Sequence, residues 1–268
     1  MALSRSTKIV LGLLTALVMA FIYIPLLLVL LNSFNTSVTF AFPPTGFTTK
    51  WWGNAFSSDP VRAALATSVE VAVLATLIAL VLGTLAAIAV TRFEFFGRDV
   101  ISLLVVLPIA LPGIVTGIAL SNLFTSFLGG LSLLTLIVGH ATFCVVVVFN
   151  NAAARLRRTS GRLLEASADL GARSWFTFRH VTFPLLRPAL LAGGLLAFGL
   201  SFDEIIVTRF AAGPGVQTLP LWIFNNLFRP TEAPVVNVVA AALVVVSVLP
   251  VYLAQRLSGD PAHAGGRI

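Results

Sequence analysis

Six apolar stretches, each long enough to cross a bilayer as a helix, set the limits on what this chain can fold into. They run over about residues 9–31, 63–91, 100–124, 132–154, 188–210 and 235–254. Backbone N–H and C=O groups in hydrocarbon must be satisfied internally, so runs of about 20 apolar residues predict helices. The expected fold is an all-α integral membrane protein with six transmembrane helices and no soluble domain attached. Composition agrees, because only 10% of the 268 residues are charged and soluble domains carry about 25%. Arg5 and Lys8 precede the first apolar run, which is too long for a signal-peptide core. It ends in Asn32-Ser33-Phe34-Asn35 rather than a small-x-small cleavage site, so it reads as a retained helix.

Basic residues orient these helices. On the six-span plan Arg5, Lys8, Arg92, Arg98, Arg155, Arg157, Arg158, Arg162, Arg173, Arg179, Arg187, Arg256 and Arg267 fall on one side. Lys50, Arg62, Arg209 and Arg229 fall on the other. The excess marks the cytoplasmic side, which then holds both termini and the loop 155–187. A formal net charge of +7 could suggest nucleic acid. These arginines sort by membrane side and form no groove interleaved with aromatics, so no nucleic-acid partner is expected. Cys144 is the single cysteine, which excludes disulfides within the chain. His140, His180 and His263 lack metal-ligand spacing, so no metal site is expected. No Gly-x4-Gly-Lys-Ser/Thr phosphate loop occurs, and no residues fall in a catalytic order.

Ionisable side chains at membrane depth cost about 2.5–3.5 kcal/mol each on insertion scales and are functional candidates for that reason. Asp203 and Glu204 stand in the outer half of the fifth apolar run. On a continuous helix they point about 100° apart, so one at most aims straight into a central path. A carboxylate there would attract a cationic solute; the structural alternative is an ion pair of Glu204 with Arg209. Glu70, in the second run, is a weaker pathway candidate that could instead snorkel or pair with Arg62. Pro108, Pro112 and Gly113 predict a bend in the third run, lining a cavity or serving packing alone. Trp51, Trp52, Trp222 and Phe224 belong to two outer segments, as interface anchors or as contacts at an outer gate or with a binding protein.

The longest polar run is the loop 155–187. Thr159 or Ser160 can cap a short helix with an apolar face of Leu163, Leu164 and Leu170, and Gly171 suits a left-handed stop. A second short helix can run from about 174 to 183 and end at Pro184. Within this loop Glu165-Ala166-Ser167-Ala168-Asp169-Leu170-Gly171, then Val181-Thr182-Phe183-Pro184 nine residues on, resembles the EAA loop of ABC-importer permeases. Ser167, Val181 and Phe183 depart from that pattern conservatively. Along nearly its full length the chain also resembles the spermidine/putrescine permease branch. The residues that carry this include Gly46-Phe47-Thr48-Thr49-Lys50-Trp51, His140-Ala141-Thr142-Phe143-Cys144 and Leu200-Ser201-Phe202-Asp203-Glu204.

The resemblance implies a type I importer permease fold in a bacterial cytoplasmic membrane. It implies a non-catalytic subunit forming half of a pathway for polyamines, with Asp203 where that branch carries an acidic pair. Glu165, Ala166, Asp169, Gly171 and Pro184 would then couple the chain to an ATPase. The implied partners are a second permease, a pair of ATPase subunits, an extracytoplasmic substrate-binding protein, a small cationic solute and membrane lipid. No cofactor is expected on this chain, since ATP and Mg would be bound by the ATPase. An ABC permease for another small solute is the alternative. A proton-coupled secondary transporter using Asp203 is a further one, although no repeated half with paired broken helices is visible.

Overall fold

The computed structural model describes residues 4–39 and 42–258; Arg267 and His263, used or weighed above, lie outside them. Among the described residues the regular elements are helices, apart from an isolated antiparallel bridge between Asn35 and Phe47. The chain divides into two units, Met1–Arg62 with Trp222–Val245, and Ala63–Leu221 with Val246–Ile268.

In the first unit, α1 (Arg5–Asn32) starts where the Ser4 hydroxyl accepts from the Thr7 amide at 3.2 Å. None of its apolar stretch is buried within the chain. The following loop folds around the Asn35 side chain, which is fully buried. Its Oδ1 accepts from the amides of Ser37 and Thr45 and from the Thr45 hydroxyl, at 3.1–3.2 Å. The loop leads into α2 (Lys50–Ser57).

The second unit is organised around α6 (Leu133–Arg158), buried along most of its length. It opens with a capping box, Ser132 and Thr135 each satisfying the other's amide. Against it lies α3 (Asp59–Arg92), whose 34 residues reach about 51 Å at the usual rise per residue, more than the ~30 Å hydrocarbon core. Its buried face carries small residues, Ala64, Ala72, Ala75, Ala79 and Ala87, at the three- and four-residue spacing of one helix side. The opposite face, with Leu65, Val73, Leu77, Val81 and Leu85, is exposed. Small residues let two membrane helices approach closely. At Gly83 a Cβ would stand 2.9 Å from the Val145 carbonyl oxygen.

Two expected spans are broken. The third is two helices, α4 (Arg98–Ala110) and α5 (Gly113–Leu128), bent by 107° at Leu111-Pro112. Pro108 sits within α4, but the break comes where Pro112 forces the residue before it into an extended conformation and becomes the N-cap of α5. The fifth expected span, 188–210, stops early. α9 (Phe183–Phe202) ends at Asp203, and α10 (Ile206–Ala211) follows after residues 203–205.

On its other side α9 begins earlier than expected. After α7 (Arg162–Asp169), the helix α8 (Ser174–Thr177) runs through a π turn (Phe178–Thr182) into α9 without interruption. The second short helix of the polar loop is therefore the root of a membrane span, and Pro184 does not end it. Across the wider turn the Phe183 amide reaches back to the Phe178 carbonyl, and Pro184 falls in the first turn of α9, where a missing N–H is tolerated.

Arg5–Asn32, Asp59–Arg92, Leu133–Arg158 and Ser174–Phe202 are long and apolar enough to cross a membrane, and the bent α4–α5 pair makes a fifth span if read as one. A short helix, α11 (Leu219–Asn226), precedes α12 (Ala233–Ser258), on which the sixth expected span falls.

Candidate functional site

The break after Phe202 is built, not frayed. A six-residue helix has no stability of its own, and α10 is held at both ends. The Glu204 carboxylate accepts from the Val207 amide at 2.9 Å, as an N-cap does. At the far end the Ala211 carbonyl accepts from the Thr135 hydroxyl at 3.1 Å. In between, α10 lies against glycines of two neighbours. A Cβ on Gly117 of α5 would come within 2.8 Å of the Phe210 ring, and one on Gly139 of α6 would touch Val207 and Ala211. Beyond α10, Gly213 passes so close to the α6 cap that a Cβ would meet the Leu131 carbonyl oxygen at 2.5 Å.

His140, from α6, crosses the break. Its ring is fully buried, with Nδ1 2.8 Å from the Ser201 hydroxyl of α9 and Nε2 2.9 Å from the Thr208 hydroxyl of α10. Thr208 in turn donates to the Glu204 carbonyl at 2.9 Å. From sequence, His140 counts as part of the stretch that carries the resemblance and is weighed for metals and catalysis, without this structural role. The usable signal was the set His140, Ser201 and Thr208, polar residues in apolar spans, which act as interhelical glue.

The two adjacent acids have separate fates. Glu204 is half-buried and committed to α10, with no ion pair to Arg209. Asp203, the C-cap of α9, is exposed. Among the described residues no group pairs or hydrogen-bonds with its carboxylate. The expectation that they project about 100° apart from one helix is corrected, because the helix stops between them. Glu70 is exposed on α3, without an ion pair among the described residues. Arg62 is paired with Asp59 at 2.9 Å, both largely exposed, a contact worth little.

The aromatic candidates divide as well. Trp51 donates its indole N–H to the Asn35 carbonyl at 2.9 Å, and Trp52 stacks on Phe34 with ring centroids 5.2 Å apart. Both are half-buried and hold the first unit's loop together. Trp222 is buried within the chain, whereas Phe224 is half-exposed.

A second candidate site is the knob of α7 and α8. Gly161 is the N-cap of α7, and the Ser160 hydroxyl accepts from the Arg162 amide at 3.3 Å; Thr159 instead ends α6. The helix stops in a Schellman motif: the Ala172 amide bonds to the Ser167 carbonyl at 3.1 Å, the Gly171 amide to the Ala168 carbonyl at 2.8 Å. Gly171 is left-handed, at φ 75°. Ser167, the departure from the Glu-Ala-Ala pattern, joins its hydroxyl to that of Thr177 at 2.9 Å and so ties α7 to α8. Outward, Glu165, Ala166, Asp169 and Pro184 are exposed. Leu163, Trp175 and Phe176 are exposed too, and Leu170 is 89% so. A hollow of about 640 Å³ lies among Leu163, Ala166, Leu170, Phe176 and Val181. Exposed apolar surface of this kind, with Arg173 at its edge, makes the knob a candidate binding face.

Compared with known proteins, residues 79–259 match the family described as binding-protein-dependent transport system inner membrane component. The chain is 34% identical to the spermidine/putrescine transport system permease protein PotC of Shigella flexneri, covering 95% of this chain and 96% of that one. It is 33% identical to the putrescine transport system permease protein PotI of Escherichia coli K12, over 83% of this chain and 81% of that protein. Among solved structures, a chain of a bacterial ABC transporter that imports alginate superposes with a TM-score of 0.69 at 18% identity, covering 96% of this chain and 98% of that one.

Proposed function

The chain belongs to the family of binding-protein-dependent transport inner membrane components, and from that premise we propose that it carries polyamines as one of two permeases in an ATP-driven importer. It is a permease subunit without catalysis of its own. The observation that carries the solute reading is Asp203. A carboxylate at a break in an apolar span, exposed and without a partner among the described residues, has its favourable interactions left for something cationic. The names of PotC and PotI supply the solute class, spermidine and putrescine. Spermidine carries several ammonium groups, so one carboxylate on this chain engages part of it and leaves the rest to a second permease.

The knob of α7 and α8 is the coupling element in this reading. It docks into an ATPase, one of a pair, that binds ATP and Mg, while a substrate-binding protein delivers solute on the opposite side. Both termini and the knob face the cytoplasm in this reading, which the excess of basic residues on one side of the six-span plan supports. The membrane is the bacterial inner membrane.

The test is uptake of labelled spermidine and putrescine by proteoliposomes holding the complete complex, with ATP on the ATPase side. Asp203→Asn should lower uptake while leaving assembly intact. A hydrogen bond to a charged group is worth roughly 1.5–3 kcal/mol, so the expected fall is about 10- to 100-fold. Unchanged uptake would return Asp203 to a structural role. A complex that hydrolyses ATP yet ignores both polyamines would keep the permease and discard the solute. Uptake without the ATPase would sink the importer reading.

A further inference from the structure

We propose that His140 is the positioning residue for Asp203: its imidazole clasps the two sides of the break between α9 and α10 and so fixes where the carboxylate stands. The proposal deepens the reading of Asp203 as a solute contact and rests on it for its functional meaning.

The proton inventory specifies the clasp. The Thr208 hydroxyl gives its proton to the Glu204 carbonyl, so toward His140 it accepts, and Nε2 carries the ring proton. In the neutral ring Nδ1 is then the acceptor, and the Ser201 hydroxyl donates to it. Every polar atom of the triad is paired, in a place where His140 and Thr208 are fully buried and Ser201 nearly so. Losing one partner there leaves another polar group unpaired in a dry site, which costs more than the bond itself contributes. Ser201 stands two residues before Asp203, and Thr208 bonds to the residue after it. Among the described residues the His140 bonds are the polar ties between this stretch and α6, alongside the packing of Val207 on Gly139, while α10 is fixed further along by Thr135. Without His140 the end of α9 is free to move against α10, and Asp203 moves with it.

The experiment uses the assembled importer, with partner subunits free of accessible thiols, and follows Asp203→Cys. Cys144 is buried, so a membrane-impermeant maleimide reads the introduced thiol. Adding His140→Leu or Thr208→Val should each change the labelling rate about tenfold, and the two together by no more than either alone, as members of one network behave. His140→Gln, whose amide can donate at one atom and accept at the other, should restore much of the original rate. Thr208→Val is nearly isosteric and carries the test if His140→Leu does not fold. Labelling rates within about twofold of the Asp203→Cys parent in every variant would overturn the proposal. A changed rate together with spermidine uptake indifferent to Asp203→Asn would uphold the positioning role and sink the solute contact instead.

Discussion

Gly83→Leu is expected to prise α3 from α6 and to cost this chain most of its folded yield. A Cβ at Gly83 would sit 2.9 Å from the Val145 carbonyl oxygen, 3.0 Å from the Phe149 amide nitrogen and 3.0 Å from the Val148 Cβ. Two of those three atoms are backbone of the most buried helix, so neither can rotate away, and a leucine adds three further carbons. Overpacking a close contact costs about 1–3 kcal/mol, and here the contact is helix axis against helix axis. The measurement is thermal unfolding in detergent. A shift of roughly 2–4 °C per kcal/mol is usual for chains of 150–250 residues, so a fall of about 2–12 °C is expected. Gly12→Ala in α1, where nothing lies within 4 Å, is the control and should leave the transition unmoved. Equal behaviour of the two variants would mean that α3 and α6 do not pack as described.

The second large effect concerns the knob. Leu170→Asp should release the ATPase from the permease pair. Leu170 is 89% exposed beside Leu163, which is 48% exposed, and Phe176, which is 55% exposed. A leucine of this kind is worth about 1.5–3 kcal/mol when a partner buries it. The aspartate would lose that and bring a charge to be desolvated, so the affinity should fall by about 100-fold or more. Binding of purified ATPase to the permease pair in nanodiscs measures it directly, and uptake should vanish in parallel. Undiminished binding would show that the ATPase docks elsewhere. Since Leu170 is only the C-cap of α7, with the Schellman bonds made by backbone amides, the fold should survive the change.

The apolar spans were legible because their signal is bulk composition over about 20 residues, although two of them proved to be broken within that length. The knob was legible for the opposite reason, since Gly171 and the residues before it form a dense local code. What composition could not convey was where a span stops. The run 188–210 is apolar on both sides of Asp203-Glu204, and a pair of acids in a span does not by itself say that α9 gives way to α10 there. The decisive partners of that break, His140 and Thr135, are more than 60 residues away in the chain, and such tertiary ties leave no periodic trace. Pro184 misled in the same way. A proline usually reads as a stop, but the preceding π turn had already provided for its missing amide. Trp222 was read by residue type as an anchor, and its burial is a fact of packing alone.

That π turn has a consequence of phase. A straight α-helix advances about 100° per residue, and a π turn holds one residue more than the α-helical turn it replaces. Everything before Phe178 is therefore set about 100° around the axis from where the same sequence would lie on a regular helix. The offset works like a key between shaft and gear: α8, and α7 bonded to it through Ser167 and Thr177, meets its partner at an angle dictated by the length of Phe178–Thr182. One residue fewer in that turn would leave each named side chain of the knob in place relative to its neighbours, and the whole knob would face another way.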